Sequence, residues 1–357
     1  MSVSIKIGKN IISRNSKTYF IADIGANWDG SITRAKKLIK LCAQAGANAA
    51  KFQNFNAETI VSDYGFKQLS KTIKTHQSKW KDSVFNVYKK ASLPLEWTKE
   101  LNEECKRNNI DYFTSPYDLN QLNYLSKFCS AWKIGSGDIT WHEMINKLSA
   151  YKKPIMLATG ASNLKEVKQA INIIRGKNKK IILMQCNTNY SGSPDNFNYI
   201  NLNVLKLYNR IFPNVILGLS DHTKGHTTVL GAVALGAKVI EKHFTDDNKR
   251  IGPDHNFAMN PETWHTMVER TRELELSLGN GQKIVEINEL KSLSVQRRSI
   301  RANIDLKKNK RLINDDLIML RPISKNGLDP YKIKKILGMK LKKDIKKGEE
   351  IKIKDLK

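Results

Sequence analysis

Cysteine is scarce in this 357-residue chain. The four present (Cys42, Cys105, Cys129, Cys186) show no CxxC or paired spacing. A disulfide framework and a zinc-ribbon type of site are thereby excluded, and a reducing compartment, the cytoplasm, is expected. No apolar run reaches 18 residues and no apolar leader opens the chain, so neither membrane insertion nor export is expected. Acidic residues are also few, 34 against 61 Lys and Arg, for a net charge of +27. No zinc-finger, RRM or helix-turn-helix pattern accompanies that charge, and lysine is spread along the chain. No nucleic-acid partner is expected, and the basic field instead favours a small anionic substrate through steering. Hydrophobic content of 40% and charged content of 27% describe a globular protein with ample length for a large core and a smaller second domain.

What is present is a repeated alternation. Residues 216–244, ILGLSDHTKGHTTVLGAVALGAKVIEKHF, read as a strand at 216–219, a helix at 228–236 and a strand at 238–240. Such a unit makes its strands parallel, so His222 and His243, just past their ends, come out side by side. Two imidazoles so placed suit one divalent metal. Two separately hydrogen-bonded histidines at the rim of a core are the other reading. Upstream, a short strand pair (4–7, 10–12) precedes strands at 18–24, 49–52, 110–113, 131–134, 154–157 and 181–184. Helices are expected at 32–45, 95–108, 119–127, 142–150, 163–174, 202–212 and 261–278, with Ser162 as an N-cap and Gly46 closing the first. Residues 54–94, irregular and polar, read as a loop with a short helix covering one end. Eight strands, each followed by a helix, over roughly 260 residues predict a (β/α)8 TIM barrel.

In a barrel the carboxyl ends of all eight strands converge on one mouth. Here those ends carry Asp23, Lys51, Gln53, Thr114, Ser115, Lys133, Ser136, Asp138, Thr159, Gln185, Asn187, Ser220, His222, Glu241 and His243. Lys51 and Lys133, the hydroxyls of Ser115, Ser136 and Ser220, and the amides beside Gly135 and Gly137 would make a phosphate cradle. Asp23, Asp138 and Asp254 supply carboxylates for proton handling or sugar hydroxyls. Phosphate, metal and a polyol together suggest carbon–carbon chemistry at a carbonyl. The tail is a separate object, with 1–281 as barrel, 282–295 as a polar helical linker and 296–357 as a small β-rich domain. Residues 301–357 hold 18 Lys and Arg against 8 Asp and Glu, too mixed in sign for a simple basic arm.

The motifs ADIGANWDG (22–30), KFQ (51–53), KIGSGD (133–138), TG (159–160), GLSDHT (218–223), GAVALGA (231–237), EKHFT (241–245) and GPDH (252–255) resemble those of the sialic acid (nonulosonate) synthase family. QRRSIRA (296–302) and LRP (320–322) resemble its C-terminal antifreeze-like (SAF) module. The resemblance covers nearly the whole chain. It implies condensation of phosphoenolpyruvate with an open-chain N-acylated amino sugar, such as N-acetylmannosamine or a 2,4-diacetamido sugar, releasing phosphate. It further implies that His222 and His243 hold a divalent metal (Mn or Mg) and that Lys51, Ser115, Lys133, Ser136 and Ser220 bind phosphoenolpyruvate. Gln53, Asp138, Tyr190 and Asp254 would face the sugar, and Asp23 would take the acid/base position. Arg321 would reach the partner's barrel in a domain-swapped homodimer. Four positions depart from the pattern. Asp23 stands for a Glu, Trp28 for a His and Ala158 for a Ser, and QCNTNY (185–190) shifts a CTN pattern so that Asn187 or Thr188 fills its place. Competing readings are a metal aldolase or other phosphoenolpyruvate-using barrel acting on another aldose, and a non-catalytic binder of anionic polymer.

Overall fold

The computed structural model describes residues 3–73 and 75–357; residues 1 and 2, in the preamble, and residue 74, in the 54–94 segment, lie outside them. The chain forms two compact units, residues 1–279 and 280–357.

The first unit opens with a hairpin of β1 (Ser4–Ile7) and β2 (Asn10–Ser13), Ile5 facing Ile12 in register. Gly8 turns it at φ +51°, where a Cβ would meet the Asp111 carboxylate within 1.7 Å, so only glycine fits the bend. Eight parallel strands follow: β3 (Tyr19–Asp23), β4 (Ala49–Asn54), β5 (Asp111–Pro116), β6 (Trp132–Ile134), β7 (Ile155–Ala158), β8 (Ile181–Cys186), β9 (Ile216–Asp221) and β10 (Ala237–His243). They run in sequence order around a closed barrel, and β10 completes the ring against β3, His243 opposite Asp23. This is the expected (β/α)8 barrel. The strands are near-continuous apolar runs because both faces are buried, one by the barrel interior and one by the helices.

Several strands run past their expected ends, to Asn54, Pro116, Cys186, Asp221 and His243. Polar residues near these ends stay in the ladder because the fold offers them partners: Gln53 donates to Asp23, Ser220 to Glu241, and Asp221 pairs with Lys242 on the outer face. Residues 54–94 are more helical than expected, with helices at Ala57–Ile60, Asp63–Leu69 and Val84–Ala91, the first two capped by Asn56 and Ser62. The helix Leu164–Lys177 starts one residue later than expected, with Asn163 rather than Ser162 as its cap. The Asn163 carboxamide accepts from the Lys165 and Glu166 amides, and Glu166 accepts from the Asn163 amide. Ser162 instead donates to the Thr159 carbonyl. The capping box outcompetes the lone hydroxyl because it satisfies donors in both directions.

The second unit packs Ile300, Leu306, Leu312, Ile336, Leu341, Ile345 and Ile351 around an antiparallel pair, β11 (Ser299–Ala302) and β12 (Leu317–Leu320). Isolated bridges, such as Leu306 to Ile345 and Leu341 to Leu356, supply the rest of its β pairing. The 282–295 stretch is helical only from Ile287, and Ile284, Ile287, Leu290 and Val295 are exposed along it, so it is less polar than its sequence suggested. Among the described residues no helix is long and apolar enough to cross a membrane.

Candidate active site

Side chains of a strand alternate between faces, and in β10 the alternation sorts three adjacent charged residues. Glu241 and His243 face the barrel interior, and Lys242 faces the helices. Lys242 is 2% exposed and pairs there with Asp221 of β9, which also accepts from Thr223 and Thr228. Both Lys242 and Asp221 are locked into an outer-layer network with no opening to the mouth, so they serve the fold.

The inner set forms one buried ion cluster. Lys51 and Lys133 are 2% and 3% exposed. Lys51 Nζ lies 2.7 Å from Asp23 Oδ2 and 3.7 Å from Glu241 Oε1, and reaches Ser115 Oγ at 3.4 Å. Lys133 Nζ lies 3.0 Å from the same Glu241 Oε1, which also accepts from Ser220 Oγ at 3.1 Å. Gln53 Nε2 donates to Asp23 Oδ2 at 3.1 Å. Burial alone would drive Lys51 toward neutrality, but the Asp23 and Glu241 carboxylates hold its pKa above the usual lysine value. Burial would likewise protonate Asp23, yet the Lys51 ammonium, assisted by His243 and Lys133, holds it at about 2. Asp23 is therefore an anion at neutral pH and able to accept a proton.

Above this cluster sits the histidine pair. The His222 and His243 ring centroids are 5.5 Å apart, and the Tyr190 ring packs 4.3 Å from His222. His222 Nδ1 contacts the Asn187 carbonyl at 2.8 Å, so Nδ1 donates there and the ring presents Nε2 to the mouth. His243 Nε2 is 3.6 Å from Asp23, and its Nδ1 is a buried nitrogen without a hydrogen-bond partner among the described residues, 3.7 Å from Asp254. Two ring nitrogens in this relation fit a shared divalent ion. No group of three or more His, Cys, Asp or Glu among the described residues is placed to hold one. The protein would thus supply two ligands and leave the other positions to substrate and water. Gly25, at φ +51°, belongs to this layer too, since a Cβ would come within 2.6 Å of Asp254 and 3.1 Å of His243.

The mouth opens into a cavity of about 320 Å³ lined by Gln53, Asp138, Tyr190, His243 and Asp254, with Phe55, Trp80 and Tyr88 from the 54–94 segment as an aromatic wall. Asp254 is held there by the Ala26 amide at 3.1 Å. Ser136 Oγ accepts from the Gly160 amide at 2.9 Å. The buried Cys186 thiol, which burial would push up, is held below the usual thiol range by His222, Ser136 and Lys133. Burial pushes Asp138 up to about 6. A carboxyl raised by folding contributes stability that is full below its unfolded pKa near 4 and lost as pH rises through 6. Asp138→Asn is therefore expected to be more stable than wild type by roughly 2 kcal/mol at pH 7.5 and equal to it at pH 4, as read from denaturant melts.

Thirteen of the fourteen residues singled out from the sequence thus come together at the mouth, though Asn187 does so by its backbone carbonyl while its carboxamide turns to the Tyr199 carbonyl. The fourteenth, Arg321, is exposed on the second unit. Glu241 received no role from the sequence, although its spacing of two from His243 puts it on the same strand face. Trp28, at the position of a family His, is buried with its ring edge-on to Trp97 at 5.5 Å, and so works as a packing residue.

A closed parallel barrel whose carboxyl-terminal mouth buries two lysines beneath a histidine pair defines a condensing enzyme of the TIM-barrel class. The chain belongs to the NeuB family, which it matches over residues 38–283, and it carries a SAF domain at residues 297–357. This is a family of phosphoenolpyruvate-dependent condensing enzymes that includes the legionaminic, pseudaminic and sialic acid synthases. The N,N'-diacetyllegionaminic acid synthase of Campylobacter jejuni is 34% identical over 94% of this chain and 99% of its own length. The pseudaminic acid synthase of the same organism is 31% identical over 95% of this chain and 96% of its own. The crystal structure of the N-acetylneuraminic acid synthetase of Leptospira borgpetersenii superposes with a TM-score of 0.71 at 28% identity, over 82% of this chain and 95% of that one.

Proposed function

We propose that this chain condenses phosphoenolpyruvate with an open-chain N-acylated amino sugar, N-acetylmannosamine or a 2,4-diacetamido hexose, and water to yield a nonulosonic acid and inorganic phosphate. One observation carries the reading: two lysines buried to 3% exposure or less converge on one point of the mouth, directly beneath His222 and His243. A buried double cation with serine hydroxyls beside it suits a phosphorylated carboxylate. A divalent ion, Mn or Mg, on the two imidazoles would polarise the sugar aldehyde.

In this scheme Lys51, Lys133, Ser115, Ser136 and Ser220 orient phosphoenolpyruvate so that its methylene carbon faces the aldehyde. Gln53, Asp138, Tyr190 and Asp254 hold the sugar hydroxyl and acyl groups. The methylene carbon forms the new C–C bond, the aldehyde oxygen becomes an alkoxide, and C2 becomes electron-poor. Water adds to C2 with one proton passing to the Asp23 carboxylate and on to the alkoxide, which becomes the hydroxyl. The C2–O bond to phosphate then breaks as the new C2 hydroxyl gives its proton to the departing phosphate, leaving a ketone and inorganic phosphate. Mass spectrometry of the product formed from phosphoenolpyruvate and a panel of amino sugars tests this directly. A product mass equal to sugar plus pyruvate is expected for an N-acylated amino sugar; turnover of unsubstituted aldoses alone, or of none, defeats it.

The same reading places the reaction in the cytoplasm and in a domain-swapped homodimer, where Arg321 of one protomer completes the sugar site of its partner. Arg321→Ala is then expected to raise the sugar KM about tenfold or more and the phosphoenolpyruvate KM little. Mixing it with His222→Ala should restore activity. Absence of rescue in a verified heterodimer argues for a same-chain arrangement.

A further inference from the structure

Glu241 stands where the substrate anion is expected. Its Oε1 collects Lys133 Nζ at 3.0 Å, Ser220 Oγ at 3.1 Å and Lys51 Nζ at 3.7 Å. These donors come from three strands and meet on one oxygen, as they would on a phosphate oxygen. Lys133 has no other carboxylate partner among the described residues, whereas Lys51 also has Asp23 at 2.7 Å. Glu241 Oε2 is buried and without a hydrogen-bond partner among the described residues, so the carboxylate is held by one oxygen only.

The charges in this cluster balance, two ammonium groups against two carboxylates. A phosphate dianion brought to Lys133 and Ser220 takes those donors from Glu241 and sits within a few ångströms of a like charge. In a site of low dielectric that repulsion is large. We propose that Glu241 is a positioning residue that acts as an internal competing anion. It keeps Lys133, Lys51 and Ser220 gathered in the geometry of an anion site, and it reclaims them to expel the phosphate product. The inference rests on the reading that these three groups hold phosphoenolpyruvate and phosphate. It assigns Glu241 a role in turnover that opposes tight binding, the reverse of what loss of a supporting residue would show.

The test is inorganic phosphate binding to the full chain, by calorimetry and as product inhibition, in wild type, Lys133→Met, Glu241→Gln and Glu241→Asp. Glu241→Gln keeps the size and one acceptor and removes the competing charge. Its phosphate Kd and Ki should fall about tenfold, its phosphoenolpyruvate KM should fall with them, and kcat should drop because release slows. Glu241→Asp withdraws the carboxylate by one methylene and should tighten phosphate about threefold, which preserves the test if the Gln variant does not fold. Unchanged or weaker phosphate binding in whichever of these variants folds overturns the proposal. Phosphate binding that is equal in wild type and Lys133→Met instead overturns the underlying assignment of the lysines, and so separates the two failures.

Discussion

Replacing Lys51 with methionine is expected to lower kcat/KM for phosphoenolpyruvate by about a hundred- to a thousandfold, and to destabilise the barrel as well. Both effects follow from where the ammonium sits. It is 2% exposed, in contact with Asp23 and within 3.7 Å of Glu241, so its loss leaves two buried carboxylates sharing one remaining lysine. Removing one member of a buried ion pair costs roughly 3–5 kcal/mol because the other is left uncompensated. Loss of a charged donor from a preorganised anion site costs about 10²–10³ in rate. The two consequences separate experimentally. Melting reports the first, and turnover by protein that remains folded at low temperature reports the second. Asp23 should also change character, since without Lys51 the largest opposing influence on its buried carboxyl is gone and its pKa rises. A folded Lys51→Met enzyme within tenfold of wild type would remove the phosphate cradle from the argument.

The barrel was legible from the sequence because its signal is redundant. Eight apolar runs at regular spacing, each ending in polar residues, admit few other architectures. The chemistry at the mouth was legible for the same reason, since strand ends in a closed ring must meet. Pairings inside the mouth were harder. In EKH the spacing of two puts Glu241 on the face of His243 and Lys242 on the other, but which side chains each meets depends on the register of β10 against β9, which carries a shift between Ala237 and Val239. The structure sets Glu241 among the buried lysines Lys51 and Lys133 and Lys242 against Asp221. Strand lengths were underread because a polar residue normally marks the end of a buried strand. Here the barrel supplies partners, Ser220 donating to Glu241, Gln53 to Asp23 and Lys51 to Ser115, so the ladder continues. The 54–94 segment was read as mostly loop because its helices are short, and such helices depend on caps and tertiary contacts more than on periodicity.

Exchanging His243 for alanine is expected to bring phosphate release below detection while the barrel stays folded, because the ring sits at the rim and its removal leaves no buried charge unpaired by a lysine. Two explanations would account for that loss. His243 faces His222 at 5.5 Å between ring centroids, the relation of two ligands on one ion, and its Nε2 is also 3.6 Å from Asp23, the relation of a proton partner. The unpaired Nδ1 favours the ligand role, since a buried imidazole nitrogen with no protein partner is an open coordination position. Mn(II) binding followed by electron paramagnetic resonance distinguishes them. As a ligand, His243→Ala weakens Mn(II) binding by about 100-fold, and His222→Ala does the same; wild type stripped by a chelator loses activity and recovers it on adding Mn or Mg. As a proton partner of Asp23, His243→Ala would bind Mn(II) like wild type and still be inactive. Undiminished turnover by the stripped enzyme would count against the ion altogether, and the aldehyde would then have to be activated by protein groups alone, Asp254 and Tyr190 among those beside His243.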